Sequence, residues 1–319
     1  MILLRSLLPL TLLLSSPVRG QEKERSPEEL YFQDLVTAYN FVVAQEEALK
    51  VVAKQHPDLA ADAEKVMTEQ KKTSLGTSIA ALKKELSIRL GDKWEESQKT
   101  LREQIVKNNL NKPLAKETAQ TMVKQYGRVK DGLIPNEVLR ILISLHPDYI
   151  ETPTKEINDG WIIPIEKKSA DKTFSLFIPG SWKPREMKSP RNLIGAVHRA
   201  GYGICTLSLT AIPVAPQLYE QQYAQNSPVE LAKLLIPQKT KLVSCVEADF
   251  AETKGALSIY DIERNGKAVT RVMQYAAYQG EHFVLFQLSM TLKENHDVDF
   301  LTKKFQPVLM RCAQSLRIK

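Results

Sequence analysis

The segment FSLFIPGSWKPRE (residues 174–186) holds the residue that most invites a chemical interpretation, Ser181, directly after a Pro-Gly pair. A serine on a sharp turn can act as a nucleophile when a base lies beside it, and His198 and His282 are the bases that this half of the chain offers. The nucleophile elbow of α/β-hydrolases needs G-x-S-x-G between a strand and a helix, whereas a Trp-Lys-Pro run follows here. We therefore predict that Ser181 is a turn hydroxyl without a catalytic base.

Motifs for metals and phosphates are missing from the sequence. No histidine pair has the H-x-x-x-H spacing, and Gly201–Gly203 lacks the Walker lysine. Adjacent acids such as Glu46 and Glu47 point about 100° apart on a helix, so they do not form a facing acid–base pair. The sequence thus predicts no metal, no cofactor and no catalytic set, which favours a protein that is not an enzyme. The histidines considered are His56, His146, His198, His282 and His296.

Aromatic side chains are the best binding candidates. Tyr219 and Tyr223 lie in PQLYEQQYAQNSP (residues 216–228), which we interpret as a long polar connection, and Tyr275 and Tyr278 lie near predicted strand ends. Rings in such places can carry recognition, although they can equally pin a surface loop. A protein partner or a small ligand is expected. Nucleic acid is not, because the net charge of +7 contains no long block of like charge.

The first twenty residues predict a cleaved export signal. Arg5 supplies a positive start, Leu7–Leu14 is a short apolar core, and Val18 and Gly20 fit the small-residue positions of a cleavage site before Gln21. The apolar run is too short to span a bilayer, and no later segment approaches that length. We expect a soluble mature protein in the periplasm or outside the cell.

Three cysteines follow the signal: Cys205, Cys245 and Cys312. In an oxidising compartment two of them can pair, and the sequence leaves open a disulfide between Cys245 and Cys312. The alternative is that all three are small buried apolar residues.

The spacing of apolar residues divides the chain into two halves. Residues 26–149 follow a helical period that starts at a capping box, Ser26–Glu29, and residues 151–160 are polar and proline-containing. After Trp161 the period changes to two, and Asn265-Gly266 predicts a type I′ hairpin. We predict a helical domain over 21–150, a linker over 151–160 and an α+β domain over 161–319, with an antiparallel sheet flanked by helices. The candidate strands are Trp161–Glu166, Thr173–Ile178, Leu193–Arg199, Ile204–Ile212, Leu242–Asp249, Ala256–Glu263, Ala268–Tyr278 and Phe283–Thr291.

Two details of the α+β half are specific enough to test. Phe174, Leu176 and Ile178 alternate along one strand, which Gly180 ends, so we predict that Trp182 folds back and is buried. In the last helical pattern, Pro307 predicts a bend or a late helix start.

The C-terminal half resembles a PsbP-like domain in FSLFIPGSWK, in RAGYGICTLSLTAI, in its Asn-Gly hairpin and in its closing amphipathic helix. The whole chain is similar to a group of uncharacterised exported proteins of Gram-negative bacteria that join a helical region, here YNFVVAQEEALKVVAKQHPDL, to such a domain. The resemblance implies an antiparallel sheet sandwiched by helices and a binding or assembly role. It implies no catalytic residue, and a fold alone does not give a function.

The sequence therefore predicts an exported, non-enzymatic binding or assembly factor. One alternative is a periplasmic hydrolase with a dispersed site near the domain junction, which would require His198 or His282 beside a serine or a carboxylate in a pocket. A second alternative is an envelope chaperone, which would require an exposed apolar groove on the helical bundle.

Overall fold

The computed structural model describes residues 26–169, 172–187, 191–198, 205–250, 252–292 and 297–319. The chain divides into two compact units, Met1–Val138 and Leu139–Lys319. The predicted export signal, the Gly-Tyr-Gly motif and His296 lie outside the described residues.

The first unit is helical. The capping box predicted at its start is confirmed, because the Ser26 hydroxyl accepts from the Glu29 backbone N–H at 3.2 Å while the Glu29 carboxylate accepts from the Ser26 N–H at 2.7 Å. Gly76 lies in the first turn of the third helix, where a Cβ would come within 2.4 Å of the Gln70 carbonyl oxygen, so the close approach of two helix ends requires glycine. The helices are α1 (Pro27–Gln55), α2 (Ala60–Lys71), α3 (Ser74–Leu90), α4 (Trp94–Asn109) and α5 (Lys116–Gly127).

Apolar faces of α1, α3 and α4 form the core of this unit. Tyr39 of α1 packs its ring 5.2 Å from that of Trp94 and donates its hydroxyl to Gln98 at 2.9 Å. Beside it, Arg102 of α4 binds both neighbouring acids of α1, Glu46 at 2.8 Å and Glu47. Burial alone would raise the pKa of Glu46, but hydrogen bonds from Lys83 and Arg102 outweigh it and hold that pKa below its usual range.

Few large apolar side chains of the helical unit are strongly exposed among the residues that the structure describes. Within residues 26–138, the large apolar side chains that are strongly exposed are Ile88 and Leu133, at 67% and 53%. Two exposed side chains do not make an extended apolar surface. We therefore do not take the chaperone alternative further.

The second unit is α+β, which confirms the predicted fold class. Every strand pair that the structure describes is antiparallel, and the strands form a three-stranded sheet of order β1-β2-β10 and a seven-stranded sheet of order β3-β4-β5-β9-β8-β7-β6. The strands are β1 (Ile162–Ser169), β2 (Lys172–Pro179), β3 (Trp182–Arg185), β4 (Asn192–His198), β5 (Cys205–Pro213), β6 (Thr240–Phe250), β7 (Thr253–Arg264), β8 (Lys267–Gln279), β9 (His282–Thr291) and β10 (Arg317–Ile318). The helices are α6 (Asn136–Ser144), which begins just before the unit boundary, α7 (Pro147–Glu151), α8 (Pro153–Asn158), α9 (Pro216–Gln222), α10 (Pro228–Leu234) and α11 (Val298–Gln314).

The main core lies between the seven-stranded sheet, α11 and β2. The alternating residues Phe174, Leu176 and Ile178 of β2 are buried in it, and Trp182 is 1% exposed, so the predicted burial of the tryptophan ring is confirmed. Helix α10 covers the opposite face of the same sheet, where Ala232 packs against alanines of β7 and β8. The hairpin between β7 and β8 also agrees with its prediction, since Asn265 and Gly266 have φ of 54° and 74°.

The local predictions differ from the structure in four places. Residues 151–160, predicted as a linker, lie in the second unit, and most of them belong to α7 and α8. The supposed polar connection 216–228 contains α9, which starts with Pro216 at its first position. Pro307 lies inside α11, which begins nine residues earlier at the Asp297 cap, so the predicted late start is wrong. The short strands β3 and β10 were not predicted.

Candidate functional site

The chain makes a tight corner where it leaves β2 and enters β3. The Gly180 N–H donates to the Trp161 carbonyl at 2.9 Å, and a Cβ on Gly180 would lie 3.2 Å from both Ile143 and Trp161. Glycine is therefore the residue that fits this close packing without displacing a neighbour. The next residue, Ser181, is 4% exposed.

A buried carboxylate from α8 holds this corner. Glu156 is 3% exposed, and it accepts the Ser181 backbone N–H at 2.5 Å on Oε1 and the Ser181 hydroxyl at 2.8 Å on Oε2. Burial raises the pKa of Glu156 to about 7, against the opposing effect of the hydrogen bonds from Ser181. Near neutral pH this carboxyl is therefore shared between its protonated and ionised forms. Ser181 lies at a turn as predicted, but its hydroxyl binds a carboxylate 25 residues away, which the sequence did not predict.

His198 lies at the end of β4, opposite Trp182 in the strand register. Its ring sits 5.2 Å from the ring of Trp182 and 5.7 Å from that of Phe305. Its Nδ1 is buried and has no hydrogen-bond partner among the residues that the structure describes. Burial, and then the nearby charge of Lys304, lower the pKa of His198 to about 4, so the imidazole is neutral at neutral pH.

Lys304 of α11 supplies a cation to the same region. Its Nζ lies 5.7 Å from the ring centre of Phe300 and 5.9 Å from that of Phe305, and it forms no ion pair with a described carboxylate. Burial lowers the pKa of Lys304, while Cys205 and Glu151 act in the opposite direction. A half-buried ammonium whose contacts are rings retains capacity for an anionic partner.

These four residues line one small pocket that encloses about 10 Å³. Its polar wall comes from Ser144, Glu156, Ser181, His198 and Lys304, and its apolar wall from Tyr149, Ile150, Pro153 and Phe305. This space holds about one water molecule, so a ligand can reach the polar wall only with a small group placed at the mouth of the pocket. We call it the Glu156–Lys304 pocket.

The sequence named two of these residues and missed two. Ser181 and His198 were considered separately, and the structure brings them into one pocket, whereas His282 lies elsewhere with its Nδ1 2.6 Å from the Gly280 carbonyl oxygen. Glu156 was missed because it falls in the polar segment that we interpreted as a linker. The proline at the first position of α8 was the local signal for a helix there.

The predicted binding tyrosines separate into two groups. Tyr219 stacks on Tyr278 at 3.6 Å, and Tyr223 meets Phe283 edge-on at 5.2 Å, so three of the four form one half-buried cluster at the end of the sheet. Tyr275 does not belong to it. Its side chain is 3% exposed in the main core, where it stacks on Phe250, because the alternation of β8 points it inward. This burial does not favour a binding role for Tyr275, and the binding roles of all four tyrosines stay predictions.

All three cysteines are free thiols in the structure. Cys312 lies in the main core beneath α11, whereas Cys245 packs on the α10 face of the sheet with its sulfur 3.2 Å from the Ser258 hydroxyl. The seven-stranded sheet separates the two residues, so the disulfide that the sequence left open does not form in this fold.

No group of His, Cys, Asp and Glu side chains in the described ranges is arranged to hold a metal ion. Within the same ranges, no helix has the length and apolar content needed to cross a membrane.

Comparisons with known proteins find similar solved structures, including the two that follow. No family model matches the chain, and no curated protein does. The solution structure of cyanobacterial PsbP (CyanoP) from Synechocystis sp. PCC 6803 has 10% identity and a TM-score of 0.36, covering 50% of this chain and 92% of that one. The Ran-binding protein Mog1p of Saccharomyces cerevisiae has 8% identity and a TM-score of 0.31, covering 49% of this chain and 95% of that one. Similarities at this level bear on neither activity nor partners.

Proposed function

We propose that this protein is an exported, non-enzymatic binding factor whose second unit binds the carboxylate group of a ligand at the mouth of the Glu156–Lys304 pocket. One observation carries the proposal: an ammonium without an ion-pair partner and a buried imidazole nitrogen without a hydrogen-bond partner line the same pocket. Export rests on the composition of the first twenty residues.

The chemistry of the pocket walls selects the ligand class. A carboxylate can pair with the Lys304 ammonium and accept a hydrogen bond from a protonated ring nitrogen of neutral His198. Ile150, which is 38% exposed, provides an apolar contact beside the mouth for a short hydrocarbon group. A ligand of this kind is either a free short-chain acid or the C-terminal residue of a peptide, and both present the same carboxylate.

The geometry around Ser181 favours binding over catalysis. An acyl-transfer site needs backbone N–H groups free to stabilise an oxyanion. The amides next to the serine hydroxyl are already used, since the Gly180 N–H donates to Trp161 and the Ser181 N–H donates to Glu156. The corner therefore lacks these two donors where a tetrahedral intermediate would need them.

Titration calorimetry of the full mature chain with propionate tests the proposal, with propionamide as the neutral analogue. Lys304→Met should weaken propionate binding about tenfold or more, because one charge-assisted contact is lost. Lys303→Met, an exposed neighbour on the same helix, is the matched control and should bind as the wild type does. Equal binding of propionate and propionamide, or an unchanged affinity in Lys304→Met, would show that the proposal is wrong.

A serine hydrolase is the second candidate, and one observation favours it. The Ser181 hydroxyl lies 2.8 Å from Glu156 Oε2 in a pocket that His198 also lines. The test is hydrolysis of p-nitrophenyl acetate by wild type and by Ser181→Ala. Turnover that disappears in Ser181→Ala, together with labelling of Ser181 by a fluorophosphonate, would replace the binding proposal with this one.

A further inference from the structure

The free edge of the seven-stranded sheet at β6 is unusually open. Strand β6 has eleven residues and pairs with β7 on one side only, and the described residues provide no further strand for its other side. At the opposite edge, β3 has four residues and contains Pro184, features that blunt a sheet edge. A long edge that presents unpaired backbone groups is a template for another strand.

Apolar side chains accompany this open backbone. Leu242, Val243 and Val246 of β6 are 43%, 48% and 54% exposed. Val243 sits at a register shift between Leu242 and Ser244, and from Ser244 to Phe250 the pairing with β7 is regular. In an antiparallel copy this regular half faces the half of the partner strand that contains the register shift, so the pairing carries one irregularity at Val243 of each strand.

The charges along β6 are arranged so that the strand complements itself. Lys241 lies near its beginning and Glu247 near its end, and both are exposed, whereas Asp249 is already paired with Lys254 at 2.6 Å. Neither Lys241 nor Glu247 forms a salt bridge with a described residue. An antiparallel copy, related by a two-fold axis at Ser244, places Lys241 of each strand opposite Glu247 of the other and Leu242 opposite Val246. A parallel copy would bring like charges together.

We propose that two copies of this chain associate through antiparallel pairing of their β6 strands, which continues the seven-stranded sheet across a two-fold axis. The interface is isologous, so each charge contact occurs twice. Backbone hydrogen bonds supply the pairing, Val246 and Leu242 supply the apolar contact, and the charged ends fix the direction. The surface lies outside the Glu156–Lys304 pocket and does not depend on the function proposed for it.

Sedimentation velocity from low to high micromolar concentration tests the proposal on the full mature chain. The wild type should dimerise, and a variant with Leu242→Lys and Val246→Lys should be monomeric. Ile88→Lys, a substitution at an exposed apolar residue of the helical unit, should dimerise as the wild type does. Circular dichroism confirms that each variant is folded. A wild-type chain that stays monomeric throughout, or a double-lysine variant that still dimerises, would overturn the proposal.

Charge reversal tests the direction of pairing. Lys241→Glu alone or Glu247→Lys alone should weaken dimerisation about tenfold, because two like-charge contacts replace two favourable ones. The chain that carries both reversals should recover most of the wild-type affinity at low salt. If the double reversal is as weak as the single ones, or if no reversal changes the affinity, antiparallel β6 pairing is wrong.

Discussion

Ser181 donates both its backbone N–H and its hydroxyl to the two oxygens of Glu156, at 2.5 and 2.8 Å. The carboxyl thereby fastens α8 to the corner between the two sheets and forms one wall of the pocket. Because it is buried, its protonation state is coupled to the stability of the second unit.

The first prediction concerns the pH dependence that Glu156 imposes. Its pKa in the fold is about 7 against an ordinary 4.5, so between these values the folded protein binds its proton more tightly than the unfolded chain. Its contribution is therefore complete below about pH 4.5 and is lost as the pH rises to about 7, by a free energy on the order of 3 kcal/mol. Glu156→Gln should remove this pH dependence of the free energy of unfolding.

Thermal unfolding in a Trp94→Phe background isolates the effect, since the remaining tryptophans, Trp161 and Trp182, both lie in the second unit. The melting temperatures of the wild type and of Glu156→Gln should differ most above pH 7, where the variant should be the more stable of the two. Parallel profiles from about pH 4.5 to about 8 would contradict the assignment.

The second prediction concerns His198, whose titration has the opposite sign. Its pKa falls from 6.5 to about 4 in the fold, so the unfolded chain binds the proton more tightly. Its contribution is present above about pH 6.5 and is lost as the pH falls to about 4. His198→Phe, which keeps a ring against Trp182, should therefore resist acid better than the wild type does. Thermal unfolding at a series of pH values, again in the Trp94→Phe background, measures this effect. A His198→Phe variant that loses more stability in acid than the wild type would refute the prediction.

The third prediction separates the serine hydroxyl from the rest of the corner. Ser181→Ala removes one hydrogen bond from a buried carboxylate but keeps the backbone one, so it should lower the free energy of unfolding by about 1–3 kcal/mol. Ser144→Ala is the control from the same pocket, because the Ser144 hydroxyl donates within its own helix to the Ile141 carbonyl at 2.7 Å. Urea unfolding measures the free energy of unfolding of both variants. Equal losses of stability in Ser181→Ala and Ser144→Ala would contradict a special role for the Ser181 hydroxyl.

The fourth prediction concerns a buried ion pair on the α11 face of the large sheet. Arg271 of β8, 8% exposed, donates to both carboxylate oxygens of Asp261 at 2.8 and 2.9 Å. Arg271→Met leaves this carboxylate buried and unpaired, so it should cost about 3–5 kcal/mol. Adding Asp261→Asn should recover part of the loss. A double-mutant cycle in urea checks this, and strictly additive losses would show that the two residues do not interact.

The sequence predicted features that are set by neighbouring residues. The Ser26–Glu29 box and the Asn265-Gly266 turn depend on contacts within a few positions, and both are present. The strands of the large sheet were visible because alternation over many residues marks a half-buried surface. Strand β3 was missed because a four-residue edge strand that contains a proline carries no such alternation.

The pocket could not be predicted in the same way. Acids and lysines are normally exposed, so an apolar pattern cannot reveal that Glu156 is buried or that Lys304 lacks an ion-pair partner. The Ser181 contact to Glu156 spans 25 residues, and Lys304 reaches the pocket from a helix more than a hundred residues further along the chain. Contacts of this kind arise only when distant elements pack together.

The pairing of β10 with β2 limits the order in which the second unit can fold. Thr173 and Lys319 exchange backbone hydrogen bonds at 2.8 and 3.0 Å, which closes the small sheet across nearly the whole unit. Contacts so far apart in sequence form late, because a large loop must close first. While the chain is being made, β2 therefore has only β1 as a strand partner in its sheet until residues 317–319 emerge. This interval is when the apolar face of β2 is most exposed to incorrect pairing.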